Sequence, residues 1–475
     1  MKIAEPDNPV RYSWLADQGF RLSPGPFVSD GYAARMLLKN FPRTETLGEV
    51  TSGRVFRPGI FQRRWTTDPE YGVPFLSSAD IFQSDLSSLA MITKKSFEKI
   101  PKLELKPGWT LITCSGMTAG RVTYSRLDMD GYACSQDVIR AAPDTDKIPA
   151  GYLYTFLASP PGLAMIKGTA YGTSVKHIEP AHLVDLPIPR LDDEIERKID
   201  SLFQRAMQRR AEFQNGITRA TRDLFESAGL SKLIDIRWHD LPRDLDFSTS
   251  NLDSMTLRAL NLAPRAQAII DALKSVPHRT LGAVCSEGRM GRGKRFTRVD
   301  GSPESGVRLV GQRQAFWIRP EGRWIVPKQT ELPAIQANDE EILVASQGTL
   351  GDSEVFCRSV FITGRWQQEY VFSEHFLRIL SGDQDIPGAF LFAFLRSEVI
   401  FRVLRSMSAG GKQQDIHEGL RTRIPIPECS PADRERIAEN VRRAYRQRDE
   451  ADALEDEAQA LLAEAMREGG AALTR

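Results

Sequence analysis

Apolar and small residues recur at alternating steps of four and three in two charged stretches of the chain. They are Ile195, Ile199, Leu202, Ala206, Phe213, Ala220 and Leu224 in the first stretch, and Ile437, Val441, Ala444, Ala451, Ala458, Leu461 and Ala465 in the second. Arg209 and Gly216 fill two positions of the first series poorly. This spacing predicts two long helices that pair as a coiled coil. The alternative is two separate amphipathic helices, each packed on its own domain.

Both stretches carry signals for the ends of a helix. Asp192-Asp193 and Ser430-Pro431 are expected N-terminal caps, and Gly229 and Gly469 are expected stops. About 36 residues at 1.5 Å each give a rod of roughly 55 Å. Two rods of equal length can lie antiparallel, with one globular domain at each end.

The stretches that precede the rods mix strand and helix patterns. Trp109 to Thr113 and Glu341 to Ala345 read as strands that end in Gly-containing turns. Gly151 to Ile166 and Pro387 to Leu404 have the apolar spacing of helices. Further short helices, each stopped by a proline, are predicted at 32–42 and 266–277. These patterns predict α/β globular domains.

Four short motifs occur twice in the same order, at offsets between 232 and 238 residues. Thr46-Leu47-Gly48-Glu49-Val50 returns as Thr280-Leu281-Gly282-Ala283-Val284, Gly116-Met117-Thr118-Ala119-Gly120 as Gly348-Thr349-Leu350-Gly351, Gly172-Thr173-Ser174-Val175-Lys176-His177-Ile178 as Gly410-Gly411-Lys412-Gln413-Gln414-Asp415-Ile416, and Pro187-Ile188-Pro189 as Pro425-Ile426-Pro427. A repeat of this length predicts two copies of one folded unit, and two similar units suit a target with two halves.

The predicted fold is therefore α/β, with a pseudo-twofold internal repeat. Two similar domains are separated by two long antiparallel coiled-coil helices. The expected boundaries are an N-terminal extension at 1–43, a first domain at 44–189, a first spacer helix at 190–229, an inter-repeat segment at 230–277, a second domain at 278–427, a second spacer helix at 428–468 and a tail at 469–475.

Composition places the chain among globular proteins. Its 475 residues are 41% hydrophobic and 26% charged, which predicts two to four domains. No apolar run approaches the ~18 residues of a membrane span, and no signal peptide is recognisable, so we expect a cytoplasmic protein without membrane contact. The five cysteines are scattered, without a Cys-x-x-Cys pair. Reduced thiols and no metal site are expected.

The net charge of +1 is unevenly distributed along the chain. Residues 428–468 hold twelve acids and seven arginines, a balance of −5, so the rest of the chain carries +6. A basic globular part with one acidic helix fits a DNA-binding body that reserves a helix for protein contacts.

Arginine, lysine and glutamine clusters are the candidate DNA contacts, because these side chains read base edges and hold phosphates. The candidates are Arg54, Arg57, Arg63 and Arg64, next to Trp65, and Lys176, next to His177, in the first domain, and Arg289, Arg292, Lys294, Arg295, Arg298, Gln312, Arg313, Gln314, Lys412 and Gln413, next to Gln414, in the second. Glycines at 288, 291 and 293 interleave the second basic cluster. The alternative for each cluster is an ordinary solvated loop.

This layout resembles the specificity subunit of type I restriction–modification enzymes. The carriers are the Thr-Leu-Gly-x-Val opening, the Gly turn after a strand, the polar steps Ser135-Gln136-Asp137 and Ser373-Glu374-His375, and the Pro-Ile-Pro exit into a long helix. The resemblance implies two target-recognition domains, each reading one half of a bipartite site in double-stranded DNA. It also implies that the helices fix the gap and dock DNA methyltransferase subunits, and it allows a restriction subunit.

The same resemblance implies no catalysis and no cofactor in this chain, with S-adenosylmethionine bound by the partner methyltransferase. The sequence lacks an Asn/Asp-Pro-Pro-aromatic motif and a P-loop. The first 43 residues and residues 232–277 are longer than a compact member needs, which leaves open a specialised phage-defence relative. The alternative function is a duplicated nucleic-acid-binding scaffold or a nuclease-like protein of a phage-defence system, for which Glu104-Leu105-Lys106 supplies a weak match.

Overall fold

A computed structural model describes residues 12, 15, 27, 30–39, 41–172, 175–249, 255–352 and 354–471. Most of the predicted extension at 1–43, and Thr173 and Ser174 of the repeated motif, therefore lie outside the described residues. The fold is mixed α/β, as the sequence predicts. Two compact units are present: the first comprises Met1–Phe82, Leu89–Ala211 and Glu450–Arg475, and the second comprises Gln83–Ser88 and Glu212–Asp449.

The first unit opens with a short strand and a capped helix. Thr44–Thr46 pairs antiparallel with Pro187–Pro189. The Thr46 side chain then accepts a hydrogen bond from the Glu49 amide, and the Glu49 carboxylate accepts one from the Thr46 amide at 2.7 Å. This reciprocal capping box starts the helix Leu47–Val50.

The second unit opens in the same way. His278–Thr280 pairs antiparallel with Pro425–Pro427, and the Thr280 side chain caps the helix Leu281–Val284. Ala283 occupies the position of Glu49 in the first unit. The Thr280 side chain therefore accepts from the Ala283 amide, but no carboxylate at position 283 accepts from the Thr280 amide in return. Both repeated motifs therefore encode the same strand pairing and the same helix start.

The main sheet of each unit has four antiparallel strands. In the first unit their order is Val55–Phe56, Val138–Ala141, Thr110–Thr113 and Val122–Tyr124. In the second unit it is Arg289–Arg292, Phe376–Leu380, Glu341–Ala345 and Ser359–Ile362. The second and third strands of each sheet are almost wholly buried, and they include the buried charged side chains Arg140, Glu341 and Arg378.

Smaller sheets flank the main ones. The first unit adds the order Trp65–Thr66, Met91–Thr93, Gly72–Leu76 and Ala133–Cys134, and the second adds Arg323–Ile325, Val307–Val310 and Tyr370–Phe372. In both orders the last pair is parallel. The second unit also pairs Ser408–Ala409 with Asp415–Ile416.

Helices cover the remaining apolar segments. The first unit has Asp30–Lys39, Leu47–Val50, Lys94–Glu98, Ala150–Ala158 and Pro160–Gly168, and the second has Pro264–Lys274, Leu281–Val284, Leu332–Ile335, Arg365–Glu369, Gly388–Leu395, Glu398–Ser406 and Glu418–Arg421. Short 3-10 turns lie at Asp80–Phe82, Pro101–Leu103, Gly116–Thr118, Leu127–Met129, Pro180–His182, Ser231–Leu233, Ala259–Leu262 and Gln314–Phe316.

The two single helices predicted at 151–166 and 387–404 are each broken into two. Ser159 ends the first piece and caps the next, because its Oγ accepts from the Gly162 amide at 3.4 Å and Pro160 has no amide hydrogen to donate. Ser397 does the same through the Ile400 amide at 3.3 Å. Apolar spacing continues across both breaks, which is why the pattern alone misses them.

The long helices are Asp193–Ser227 and Pro431–Ala471, and each lies partly in both units. Within the second unit they run antiparallel, since Gly216 faces Ala444 and Asp223 bonds Arg436 further along. A Cβ on Gly216 would lie 2.8 Å from that of Ala444. The glycine that fits the four-three spacing poorly is thus a point of close helix approach.

In each unit a long helix also packs on the α/β part. In the first unit, Phe203 contacts Tyr124 and Tyr154, with ring centroids 4.8 and 5.1 Å away. In the second, Tyr445 lies 5.0 Å from Phe361 and 5.1 Å from Phe213 of the other helix. Packing on two sides explains why buried positions often come in adjacent pairs rather than as a single seam.

The predicted stop at Gly469 is wrong, because the second helix runs on to Ala471. A Cβ at Gly469 would lie 2.5 Å from the Phe41 ring, so this glycine serves packing and not termination. Gly229, by contrast, follows the end of the first long helix with a φ of 73°, the left-handed geometry of a C-terminal stop.

A buried ion cluster joins the two long helices within the first unit. Arg210 Nη2 lies 2.5 Å from Asp452 Oδ1 and 3.2 Å from Glu455 Oε2, and these side chains are 2%, 5% and 7% exposed. The Tyr124 hydroxyl donates to Glu455 Oε1 at 3.0 Å. Burial, reinforced by the charge of Glu455, raises the pKa of Tyr124 well above its usual value and keeps this donor protonated.

Candidate nucleic-acid interface

Polar side chains converge at one end of the main sheet of the first unit. Ser115 follows the strand Thr110–Thr113, and Asp137 precedes the antiparallel strand Val138–Ala141, so the two residues meet at the same edge. Asp137 accepts hydrogen bonds from Ser135 Oγ at 3.1 Å and from Ser115 Oγ at 3.4 Å. The strand ends therefore position a fixed acceptor at this edge.

Two predicted contact residues join this network. Arg63 Nη2 lies 3.2 Å from Gln136 Oε1 and 3.7 Å from Asp137 Oδ2. Arg57 donates to both carboxylate oxygens of Glu179, at 2.9 and 3.1 Å, and to the Gln136 carbonyl at 3.4 Å. Both guanidinium groups are thus oriented by the fold, and both contact Gln136. Such ordered donors lose little conformational entropy when they bind a ligand.

Lys176 reaches the same edge through backbone pairing. The Gly116 amide donates to the Lys176 carbonyl at 3.0 Å. The backbone of His177 forms isolated antiparallel β-bridges with Ser115 and with Tyr171. The Tyr171 hydroxyl donates to Glu179 Oε1 at 3.2 Å, next to Arg57. The Lys176 side chain is exposed and, among the described residues, donates to the Gly172 carbonyl at 2.8 Å.

The second unit builds a comparable network around Glu374. Arg298 donates to this carboxylate at 2.6 Å. Burial opposes its charge, but its own amide and Arg298 together lower the pKa of Glu374. His375 Nδ1 lies 2.6 Å from Gln347 Oε1, and Gln312 pairs with the Gln347 backbone through both ends of its amide, at 2.6 and 3.1 Å.

A second loop is tied to this network as in the first unit. Gly348 and Gln414 exchange two backbone hydrogen bonds, at 2.8 and 3.3 Å. Arg292 lies 2.8 Å from Asp415 in the same loop. Lys412 and Gln413 stand exposed at its tip.

The segment between the repeats braces this loop. Arg258 donates to the Gly410 carbonyl and to Gln414 Oε1, both at 2.9 Å. Asn261 Nδ2 donates to the carbonyls of Ser406 and Ser408, the latter at 3.0 Å. The inter-repeat segment therefore supports candidate contact residues, a role that its sequence does not signal.

Not every candidate reaches these networks. Among the described contacts, Arg54 bonds the Pro143 carbonyl at 2.7 Å, and Gln314 Oε1 accepts from the Gly322 amide. Arg289 lies 3.7 Å from the buried carboxylate of Glu341. Side chains alternate along a strand, so Arg289 and Arg292, three positions apart, point to opposite faces of the sheet. The exposed candidates that remain are Arg64, Lys294, Arg295 and Arg313.

The candidate contacts predicted from the sequence do not include several residues that organise these networks, although Gln136, Asp137, Glu374 and His375 stand in the two polar steps of the sequence. The missed residues are Ser115, Gln136, Asp137, Glu179, Gln347, Glu374, His375 and Arg258. Asp137 and His375 stand directly before a strand, and Ser115, Gln136, Gln347 and Glu374 lie two residues from one, where a polar residue next to an apolar run is the available signal. The assembled groups offer both donors and acceptors at a sheet edge, which is the equipment for reading base edges and phosphates.

Other chemistry finds less support in the parts of the chain that the structure describes. No group of three or more His, Cys, Asp or Glu residues there could hold a metal ion. In the nuclease-like segment Glu104-Leu105-Lys106, the Lys106 ammonium lies 2.5 Å from Glu104 and 3.5 Å from Asp130. All three charged side chains are partly exposed. The described helices include none with the length and apolarity for crossing a bilayer. All five cysteines are buried and free.

Comparisons with known proteins point to one group of structures. No family model and no curated protein matches the chain. The type I restriction–modification S subunit from M. genitalium aligns at 14% identity and a TM-score of 0.32, over 90% of this chain and 95% of that one. The HsdS subunit from Thermoanaerobacter tengcongensis aligns at 12% identity and a TM-score of 0.26, over 90% of this chain and 96% of that one.

A third structure, concerned with complex assembly and conformational transition of the type I R-M system, aligns at 14% identity and a TM-score of 0.25, over 92% of this chain and 98% of that one. Scores this low do not establish a common fold. The functional conclusion therefore rests on the residues of this chain.

Proposed function

We propose that this chain is the DNA-specificity subunit of a type I restriction–modification system or of a related phage-defence system. It would recognise a bipartite site in double-stranded DNA, one half with each unit. It would also dock DNA methyltransferase subunits, and a restriction subunit where the system has one. The chemistry, including the use of S-adenosylmethionine, would reside in those partners.

The observation that carries the proposal is the recurrence of one polar network in two units. In each, a loop is tied by its backbone to the Gly turn after a central strand, at Gly116 with Lys176 and at Gly348 with Gln414. In each, a carboxylate beside the neighbouring strand holds an arginine, at Asp137 and at Glu374. Two similar but non-identical readers suit a non-palindromic site with two halves.

The side chains that differ between the networks are the proposed source of sequence specificity. The first unit offers Arg63 and Gln136, and the second offers Gln312 and His375. Arginine and glutamine read guanine and adenine edges in the major groove, and the exposed lysines of both loops suit phosphates. The tandem repeat and the paired spacer helices of the sequence prediction belong to this proposal as well.

Methylation-aware sequencing of a host genome with and without the gene tests the proposal. The expected result is one bipartite motif that is methylated only when the gene is present. If the gene changes no methylated motif, and if the chain with its co-purified partners binds no preferred sequence in a random duplex library, the proposal is wrong.

A domain exchange assigns the halves of the motif. Residues 44–189 are replaced by those of a relative, while Gln83–Ser88 is kept because this segment belongs to the second unit. Only one half of the motif should change. A change in both halves contradicts two independent readers. Robust, salt-sensitive DNA cleavage by the pure chain with magnesium would favour the nuclease-like alternative instead.

A further inference from the structure

The Gly turn of the first unit presents an apolar side chain to solvent. Met117, at the centre of Gly116-Met117-Thr118, is fully exposed. Single exposed apolar residues are common on protein surfaces. This one is unusual because it sits on a rigid turn beside the polar network and not on a loose loop.

Backbone geometry fixes the turn. Gly116 and Gly120 have φ angles of 75° and 83°, which glycine adopts without strain. The Gly120 amide donates to the Thr113 carbonyl at 2.8 Å, and the Thr113 hydroxyl donates to the Thr118 carbonyl. These contacts hold the backbone of the turn, from which the Met117 side chain projects into solvent.

The surroundings of Met117 match a nucleic-acid surface. The Gly116 amide bonds the carbonyl of Lys176, whose ammonium group is exposed. Ser115, one residue before the turn, bonds Asp137 of the polar network. Val175, on the segment paired with Ser115 through His177, is half-exposed. The backbone that carries this apolar tip is therefore bonded to the segment of a cation and adjoins hydrogen-bonding groups of the network.

The second unit repeats the arrangement in part. Its turn carries Leu350, which is 38% exposed. The buried Arg405 donates to the carbonyls of Thr349 and Gly351, at 3.1 and 2.8 Å, and so holds this turn as well. Both turns thus present a long apolar side chain, although the first presents it more fully.

We propose that Met117 is an apolar wedge that enters the DNA at one base step of the first half-site and unstacks it. This inference rests on the proposed function and adds the way in which the first unit engages its DNA. Proteins that insert apolar wedges recover the cost of unstacking through the wider contact that a kinked duplex permits. Arg63 and Lys176 are placed to make such contacts.

The test uses the full-length chain with its co-purified partner and duplexes that carry the identified motif. 2-Aminopurine, which pairs with thymine and brightens when unstacked, replaces in turn each adenine on either strand of the first half, except the adenine that becomes methylated. Wild type and M117L should brighten one fixed position. M117A and M117Q should bind about ten- to a hundredfold more weakly, because the buried apolar contact is lost, and should not brighten it.

Leu127→Ala is the matched control, because Leu127 is 41% exposed beyond the opposite end of the hairpin that carries the turn. It should bind and brighten the DNA as wild type does. Unchanged affinity and brightening in M117A would overturn the wedge. The wedge would also be overturned if replacing one thymine of the duplex by uracil weakened wild-type binding as much as M117A does. Met117 would then read the methyl group of that thymine.

The two proposals can fail separately. If the wild-type protein binds the motif duplex but brightens no position, the wedge fails and the specificity function stands. If the wild-type protein does not prefer the motif duplex over random DNA, the specificity function fails and the wedge fails with it.

Discussion

Arg210→Met tests the buried ion cluster that joins the long helices in the first unit. Arg210 is the cation between Asp452 and Glu455, and all three side chains are at most 7% exposed. Methionine keeps most of the length and apolar volume of the arginine stem. The substitution therefore removes the charge and its hydrogen bonds with little change in packing, and it leaves two carboxylates buried.

The expected loss is large. Breaking a buried ion pair from one side costs about 3–5 kcal/mol, because an uncompensated charge stays in the interior. For a unit of this size, each kcal/mol corresponds to a change of about 2–4 °C in the melting temperature, so the first unit should melt about 6–20 °C lower.

Arg209→Met is the matched control one residue earlier. Arg209 is 34% exposed, and its Nε lies 3.0 Å from Glu450, which is 41% exposed. Exposed ion pairs contribute at most about 1 kcal/mol, so this variant should melt within a few degrees of wild type. Differential scanning calorimetry of the full chain measures both. A triple variant, R210M with D452L and E455Q, should recover most of the loss, because no charge is left unpaired and the Tyr124 hydroxyl keeps an acceptor.

Equal melting temperatures for R210M and R209M would refute the reasoning. They would mean that Asp452 and Glu455 reach water or another cation once Arg210 is gone. Failure of the triple variant to recover would mean that the cluster is needed for packing and not for charge balance.

Three further outcomes are expected. Arg258→Ala should relax base preference in one half of the methylated motif while the melting temperature stays within a few degrees, because Arg258 only braces the loop; loss of preference in both halves, or in neither, would contradict that role. Ala283→Glu should raise the melting temperature by completing the Thr280 capping box, and this gain should disappear when Thr280 is also replaced by alanine. Gly216→Ala should lower the melting temperature, because the new Cβ would lie 2.8 Å from the Cβ of Ala444. Adding Ala444→Gly to this variant should restore the melting temperature. A higher melting temperature for Gly216→Ala alone would refute the close approach.

Local signals in the sequence predict local structure well in this chain. The strand Glu341–Ala345, the two long helices and the stop at Gly229 follow from spacing and residue type alone. The breaks at Ser159 and Ser397 show where spacing fails, because a capping serine decides the geometry without interrupting the apolar pattern. Gly216 and Gly469 show the same for glycine, whose role depends on what packs against it.

The candidate site was only partly predictable, since residue type reveals chemistry but not partners. Arg57 and Arg63 lie in the first network, yet the groups that orient them, Glu179 and Asp137, come from segments distant in sequence. Arg289 has the right chemistry but points toward the buried Glu341. Strand pairing decides such neighbours, and a single sequence does not reveal it.

The division of the chain has a consequence for its dissection. Residues 450–475 belong to the unit that begins at the N-terminus, and Ala451, Leu454 and Ala458 lie in its core. A frameshift or nonsense mutation after residue 449 would therefore damage the unit that was translated first and spare the one translated last. Ribosomal synthesis cannot complete the first unit until the second has been made.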